Sequence, residues 1–187
     1  MGIGTDEFDK ALKIASYLRT NLKGGTALSL SSAKTLQEMI AGKGGVCGDF
    51  SQIFCIFCFI NSIKVKEWHC VDRFYKTKYG HTFNEIYSST LNKWIAIDSH
   101  KNIYFTTGMD TTPLSSVELF TCLRNDKKIK FISFSSYNLK KIERLPLVYS
   151  KNSIPFIIGN YNNKVIDYYL DKYDKKYPAF IVNFILI

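Results

Sequence analysis

Apolar positions recur at helical spacing from the start of the chain, at Phe8, Ala11, Leu12, Ala15 and Leu18. Thr5 stands where a cap belongs and Asp6, Glu7 and Asp9 place negative charge in the first turn, so the pattern predicts an amphipathic helix from about residue 6 to about 22. Lys23-Gly24-Gly25 ends it. Ser31 or Ser32 then opens a second helix through Leu36, Met39 and Ile40, which stops at Gly42, Gly44 and Gly45. From Cys47 to about Ile60 nearly every position is apolar (Phe50, Ile53, Phe54, Ile56, Phe57, Phe59, Ile60), which describes a central helix buried on most of its circumference. After Asn61-Ser62 the pattern becomes strand-like: Ile63 to Val71, His81 to Tyr87, Trp94 to Asp98, then Lys130 to Phe134 and Phe156 to Ile158. A short helix is expected from Pro113 to Leu123. Helices first and strands afterwards predict an α+β fold, with N-terminal helices and a buried central helix packed on an antiparallel β-sheet. The last apolar run, Ala179 to Ile187, reads as a final core strand, well short of the ~20 residues that span a bilayer.

Two stretches of this pattern carry chemistry. Cys47 follows Gly44-Gly45-Val46 and opens the apolar helix, where free N–H groups and the helix dipole favour a thiolate. Its neighbours Gly45 and Gly48 suit close approach of a substrate backbone, with N–H groups facing a developing oxyanion. The bland alternative is a small buried residue in a tight turn. His81 and Asp98 bound a hairpin that Tyr87 and Trp94 close across Ser88 to Lys93. Setting residue 87 against 94 places Phe83 opposite Asp98 and makes His81 the diagonal neighbour of Asp98 on the same face. A slip of one residue would throw the carboxylate to the other face. A thiol, an imidazole and a carboxylate so placed form a nucleophile, a base and the group that orients the base.

Composition narrows the alternatives. The 187 residues, 46% hydrophobic, suit one domain with an extension, divided as a core over 1–125 and a C-terminal segment over 126–187 expected to pack on it. The formal charge of +9 comes from scattered lysines. The tightest groups, Lys127, Lys128 and Lys130 and then Lys140 and Lys141, lack the interleaved aromatic and glycine pattern of a base-stacking platform, so no specific nucleic-acid partner is expected. Five cysteines at irregular spacing do not form a disulfide framework, and Met1 to Asp6 has neither the basic nor the apolar part of a secretion signal, so a reducing, cytoplasmic setting is expected. Gly42 to Gly48 lacks the Lys-Ser or Lys-Thr pair of a phosphate loop. Cys55-Ile56-Phe57-Cys58 with His69-Cys70 offers four soft ligands, but the flanking phenylalanines and isoleucines favour packing over zinc, and no cofactor is expected. His100 reads as a loop histidine and Cys122 as a helix-core cysteine.

Gly44-Gly45-Val46-Cys47-Gly48-Asp49-Phe50-Ser51, His81-Thr82-Phe83-Asn84-Glu85-Ile86-Tyr87 and Trp94-Ile95-Ala96-Ile97-Asp98 together resemble, in order and spacing, the core of the transglutaminase-like superfamily. The likeness covers about residues 30 to 125. It implies a papain/transglutaminase-like core with Cys47 as nucleophile, His81 as base and Asp98 as orienting group, while Glu85 and Trp94 match positions taken as structural. Thr82 departs from the small apolar residue common there, and the basic loop from Asp72 to Gly80 is longer than a minimal connection. The implied activity is cleavage of an amide or peptide bond in a peptide or protein substrate through an acyl-enzyme. Small single-domain members favour hydrolysis over the alternative, transfer to an amine as in protein cross-linking. A third reading is a binding module that keeps the fold without turnover.

Overall fold

A computed structural model describes residues 6–72, 80–108, 110–135, 145–159, 167–168 and 171–172. Three helices come first: α1 (Glu7–Asn21), α2 (Ser32–Ile40) and α3 (Cys47–Ile60). Four strands follow, β1 (Val65–Val71), β2 (Gly80–Ser88), β3 (Lys93–Asp98) and β4 (Ile103–Thr107), then α4 (Ser116–Arg124), β5 (Ile129–Ser133), the single turn α5 (Leu145–Val148) and β6 (Ile154–Gly159). All six strands form one antiparallel sheet in the order β5-β4-β3-β2-β1-β6. The fold is therefore α+β, with the central helix packed against β1 and β2. The segment after residue 126 enters this same sheet, β5 beside β4 and β6 beside β1.

The sheet is covered on both faces. On one side Ala11, Ala15 and Leu18 of α1 and Phe50, Ile53, Phe54 and Cys58 of α3 pack against Ile86, Ile95 and Ile97. On the other, Leu119 and Phe120 of α4 with Leu145 and Tyr149 pack against Phe83, Ala96 and Phe105. The alternation along β2 and β3 follows the two-residue strand period. Each large side chain so buried stabilises by roughly 1.5–3 kcal/mol. Pairing between β2 and β3 runs from Ser88↔Lys93 through Tyr87↔Trp94 to Asn84↔Ile97, and one further step sets Phe83 against Asp98, the register that the aromatic pair predicts.

Several local expectations need correction. The burial of α3 ends at Cys58: Phe59 and Ile60 are 74% and 70% exposed, because the helix runs past the edge of the layer it packs on. β4 is an element the pattern did not predict; its five residues lie between a turn at Asn102 and the Gly108 bend, too short a run to show a period. Asp6, not Thr5, is the N-cap of α1, and Thr5 lies outside the described residues. The loop over 73–79, Lys140, Lys141 and the run Ala179 to Ile187 also lie outside them.

Candidate active site

The site forms at one end of the sheet, where the glycine loop delivers Cys47 to the mouths of β2 and β3. Gly25 N–H donates to Gly45 O at 2.9 Å and Gly45 N–H to Thr26 O at 2.8 Å, locking the loop after α1 to the loop before α3. Gly45 has φ +129°, and a Cβ there would lie 2.8 Å from Met39 Cε, so only glycine fits. Its N–H is therefore engaged with Thr26 and does not face an oxyanion as expected from the sequence; the donors without intrahelical partners belong to the first turn of α3, which Gly48 occupies. The Asp49 carboxylate accepts the Val46 N–H at 2.8 Å and the Leu28 N–H at 3.3 Å, fixing the entry to α3.

The His81 imidazole stands beside Cys47 and acts on its thiol through hydrogen bonding and charge. Nε2 of His81 bonds Asp98 Oδ2 at 2.7 Å, which leaves Nδ1 as the nitrogen for the sulfur. Asp98 is fully buried, and its Oδ1 accepts the Lys101 N–H at 2.9 Å. A fourth group, absent from the sequence reading, completes the array: the Tyr149 hydroxyl donates to Asp98 Oδ2 at 2.9 Å, with its ring edge-on to His81 at 5.8 Å. Tyr149 follows α5 and is seated among Phe83, Phe105, Phe120 and Phe131.

These contacts set the charges. Burial alone would push the Cys47 thiol up, but the hydrogen bond and charge of His81, with a backbone hydrogen bond from Thr82, hold it below its ordinary value. Burial works against a charged His81, and the charge and hydrogen bond of Asp98 outweigh it and raise the imidazole well above its usual range. Burial likewise opposes ionised Asp98, yet His81 keeps it low. The arrangement therefore sets a positively charged imidazole beside a thiol whose ionisation it eases.

Nearby residues carry further surprises. His100, read from the sequence as a loop histidine, turns its ring inward, 5.1 Å from Phe50 and 6.1 Å from His81, and burial pushes it down to about 3. Thr82 Oγ1 bonds His69 Nδ1 at 2.8 Å, so the polar residue at this position is used. Glu85 accepts Trp68 Nε1–H at 3.0 Å and the Ser116 N–H at 2.7 Å, tying β1 and α4 to β2, and Trp94 stacks edge-on to Tyr87 at 5.5 Å. Glu67 is buried beside these groups and pushed up to about 8, by burial above all. Cys55 and Cys58 lie in the core, and among the described residues no three His, Cys, Asp or Glu side chains are grouped to hold a metal. Among those residues, too, no helix is long and apolar enough to cross a membrane.

The family model of the transglutaminase-like superfamily matches residues 1–99, more than half of the 187. The chain belongs to that superfamily. Its fold is generally that of thiol-dependent acyltransferases and peptidases. No curated protein and no solved structure matches the chain. Cys47, His81 and Asp98 all lie within the matched stretch, whereas Tyr149 lies beyond it. A pocket of about 460 Å³ is lined by Cys47 together with residues of the two glycine loops, Arg19, His81, His100 and Lys101.

Proposed function

We propose that this transglutaminase-like protein is a cysteine amidase or peptidase that works through an acyl-enzyme. The observation that carries the reading is the buried His81–Asp98 contact of 2.7 Å beside a thiol held below its ordinary pKa. The Cys47 thiolate attacks the carbonyl of an amide or peptide bond and forms a C–S bond; the His81 imidazolium gives its proton to the departing amine as the C–N bond breaks. Water, losing a proton to His81, then attacks the thioester, releases a carboxylic acid and restores the thiol. Asp98 keeps the ring oriented and stabilises its positive form, and Tyr149 holds the carboxylate from behind. The developing oxyanion would be met by N–H groups of the first turn of α3. A peptide or protein is the substrate proposed, and no cofactor takes part. Five unpaired cysteines suit a reducing, cytoplasmic setting.

The experiment incubates the protein with a glutamine-containing peptide library and a labelled primary amine, and follows ammonia, free acid and label by mass spectrometry. Free acid without label is the expected result, abolished by Cys47→Ser. Label without free acid would replace hydrolysis by amine transfer. Neither product, together with an unreactive Cys47, would leave a binding module on this fold.

A further inference from the structure

The pocket that Cys47 and His81 line holds a second imidazole, that of His100, which the acyl-transfer steps leave unused. His100 lies in the turn between β3 and β4, two residues past Asp98. Its ring packs on Phe50 at 5.1 Å, three residues into α3, and stands 6.1 Å from the His81 ring. It is therefore next to the helix end that Cys47 opens and next to the ring that moves the proton. At that spacing the two imidazoles do not hydrogen-bond to each other and can serve different atoms of one bound group. Burial above all holds His100 neutral, and the charges of Lys101, His81 and Arg19 outdo nothing that Asp98 could restore: its pKa is pushed down to about 3. A neutral imidazole carries one N–H. Nδ1 of His100 is enclosed without a hydrogen-bond partner, and among the described residues no hydrogen bond to this ring occurs. An enclosed N–H with no acceptor is the rarer and costlier arrangement, so the proton belongs on Nε2. A neutral donor on the wall of a cavity, unclaimed by the protein, suits an oxygen of the group that enters it.

We propose that His100 is a further catalytic residue, whose neutral ring donates a hydrogen bond to the carbonyl oxygen of the acyl group while the Cys47 sulfur bonds to the carbon. It adds a side-chain donor to the N–H groups of the first turn of α3. The inference rests on Cys47 being the nucleophile. As the C–S bond forms, the C=O electron pair moves onto oxygen, and it returns when the leaving group departs; His100 keeps its proton throughout. Two histidines thus take two roles from two environments. His81, bonded to Asp98 at 2.7 Å, is held charged and transfers the proton, whereas His100, without that bond, is held neutral and supplies a fixed dipole.

The test sets two reactions of the same sulfur against each other in the full chain. With p-nitrophenyl acetate the Cys47 sulfur bonds to a carbonyl carbon, charge gathers on the oxygen, and the C–O bond breaks to release nitrophenolate. With iodoacetamide it displaces iodide from a saturated carbon and no oxyanion forms. Peptide mapping gives both rates at Cys47. His100→Phe keeps a ring on Phe50 and loses the N–H, so acetylation should fall at least tenfold while alkylation stays within threefold. His100→Gln, which restores an N–H donor, should recover at least threefold of that loss. The native protein supplies a measurement that needs no variant. Its 15N spectrum should show His100 protonated at Nε2 between pH 5 and pH 8, and this signal should shift when acetaldehyde adds to Cys47, forming a C–S bond and taking a proton on oxygen. A ring protonated at Nδ1, or a signal unmoved by the adduct, would overturn the assignment. So would unchanged acetylation in a folded His100→Phe, or equal losses in both reactions, which mark a packing role. If native Cys47 reacts with iodoacetamide no faster than Cys122, it is the thiolate reading itself that fails.

Discussion

Replacing Asp98 by Asn removes one charge from the centre of the site and almost no volume. In the native protein Oδ2 accepts from both His81 Nε2 and Tyr149, and Oδ1 accepts from the Lys101 N–H. An amide keeps an acceptor on one side only. With its oxygen toward Lys101, its NH2 group faces His81 Nε2 and forces the ring proton onto Nδ1, the nitrogen that should serve the sulfur. The charge effect has the same sign. Asp98 is what raises His81, so without it burial pulls the imidazole down, the ring is neutral at pH 7, and the thiol loses its positive neighbour. Opposite charges about 4 Å apart in a partly screened site are worth about 4 kcal/mol, and a neutral hydrogen bond returns about 1, leaving about 3 kcal/mol. At about 1.4 kcal/mol per factor of ten, Cys47 of Asp98→Asn should react with iodoacetamide roughly 100-fold more slowly at pH 7, with its pH profile moved to the alkaline side. Peptide mapping of the alkylated cysteines between pH 5 and pH 10 measures this, with circular dichroism to confirm folding. A folded variant whose Cys47 reacts within about threefold of the native rate would refute the coupling of carboxylate, ring and sulfur.

Other outcomes follow from single contacts. Tyr149→Phe keeps the aromatic packing and loses one hydrogen bond to a buried carboxylate, so urea denaturation should show a loss of about 1.5–3 kcal/mol; no loss would mean that the hydroxyl does not hold Asp98. Glu67 has a folded pKa raised from 4.5 to about 8, so its contribution to stability is fully present below the unfolded value and lost as pH rises through the folded one. The native protein should therefore lose up to about 3 kcal/mol from this group between pH 5 and pH 8, and Glu67→Gln should flatten that slope in denaturant titrations; parallel slopes would contradict it. Gly45→Ala combines a positive φ with a Cβ 2.8 Å from Met39, and a thermal melt should report destabilisation of about 2–3 kcal/mol together with slower alkylation of Cys47.

The parts of this protein that were legible in its sequence are those where a pattern is both long and bounded. The run from Cys47 to Ile60 stands between a glycine cluster and Asn-Ser, and the helix has those ends. Tyr87 facing Trp94 fixes the register of β2 and β3 because each step of a strand turns a side chain to the other face, so one correct pair settles where His81 and Asp98 point. Tyr149 left no such trace: its partner is 51 residues away, and the four-residue turn before it is too short for periodicity. Arg19 and Glu67 were hidden for a different reason. A charged residue in an amphipathic pattern reads as solvent-facing, and only tertiary packing shows that Arg19 lies on Phe50 and that Glu67 is enclosed.

Five free thiols in one small chain raise the question of why chemistry should concentrate on one of them, and burial and neighbouring charge answer it. Cys55, Cys58 and Cys70 are enclosed, and burial above all pushes all three thiols up, Cys70 to about 12, with the charges beside Cys55 and Cys70 adding to the rise. Cys70 is instructive, since it neighbours the same histidine: it meets the His81 backbone, with Sγ 3.7 Å from the carbonyl oxygen, and the lowering that a backbone hydrogen bond gives there is outweighed by burial and by the charge of Asp98. Cys47 is also well covered, but it faces the ring of that residue and the backbone hydrogen bond of Thr82. In the proposed mechanism the distinction between a structural and a reactive cysteine reduces to which side of His81 each one meets, a consequence of the strand carrying Cys70 pairing beside β2 while the helix that Cys47 opens starts near His81. The same logic accounts for the position of Asp98. Placed against Nε2 it charges the ring beside Cys47; moved one residue along β3 it would lie on the opposite face of the sheet, and His81, buried without that counterion, would give up its proton and leave the Cys47 thiol, like those of Cys55, Cys58 and Cys70, governed by burial.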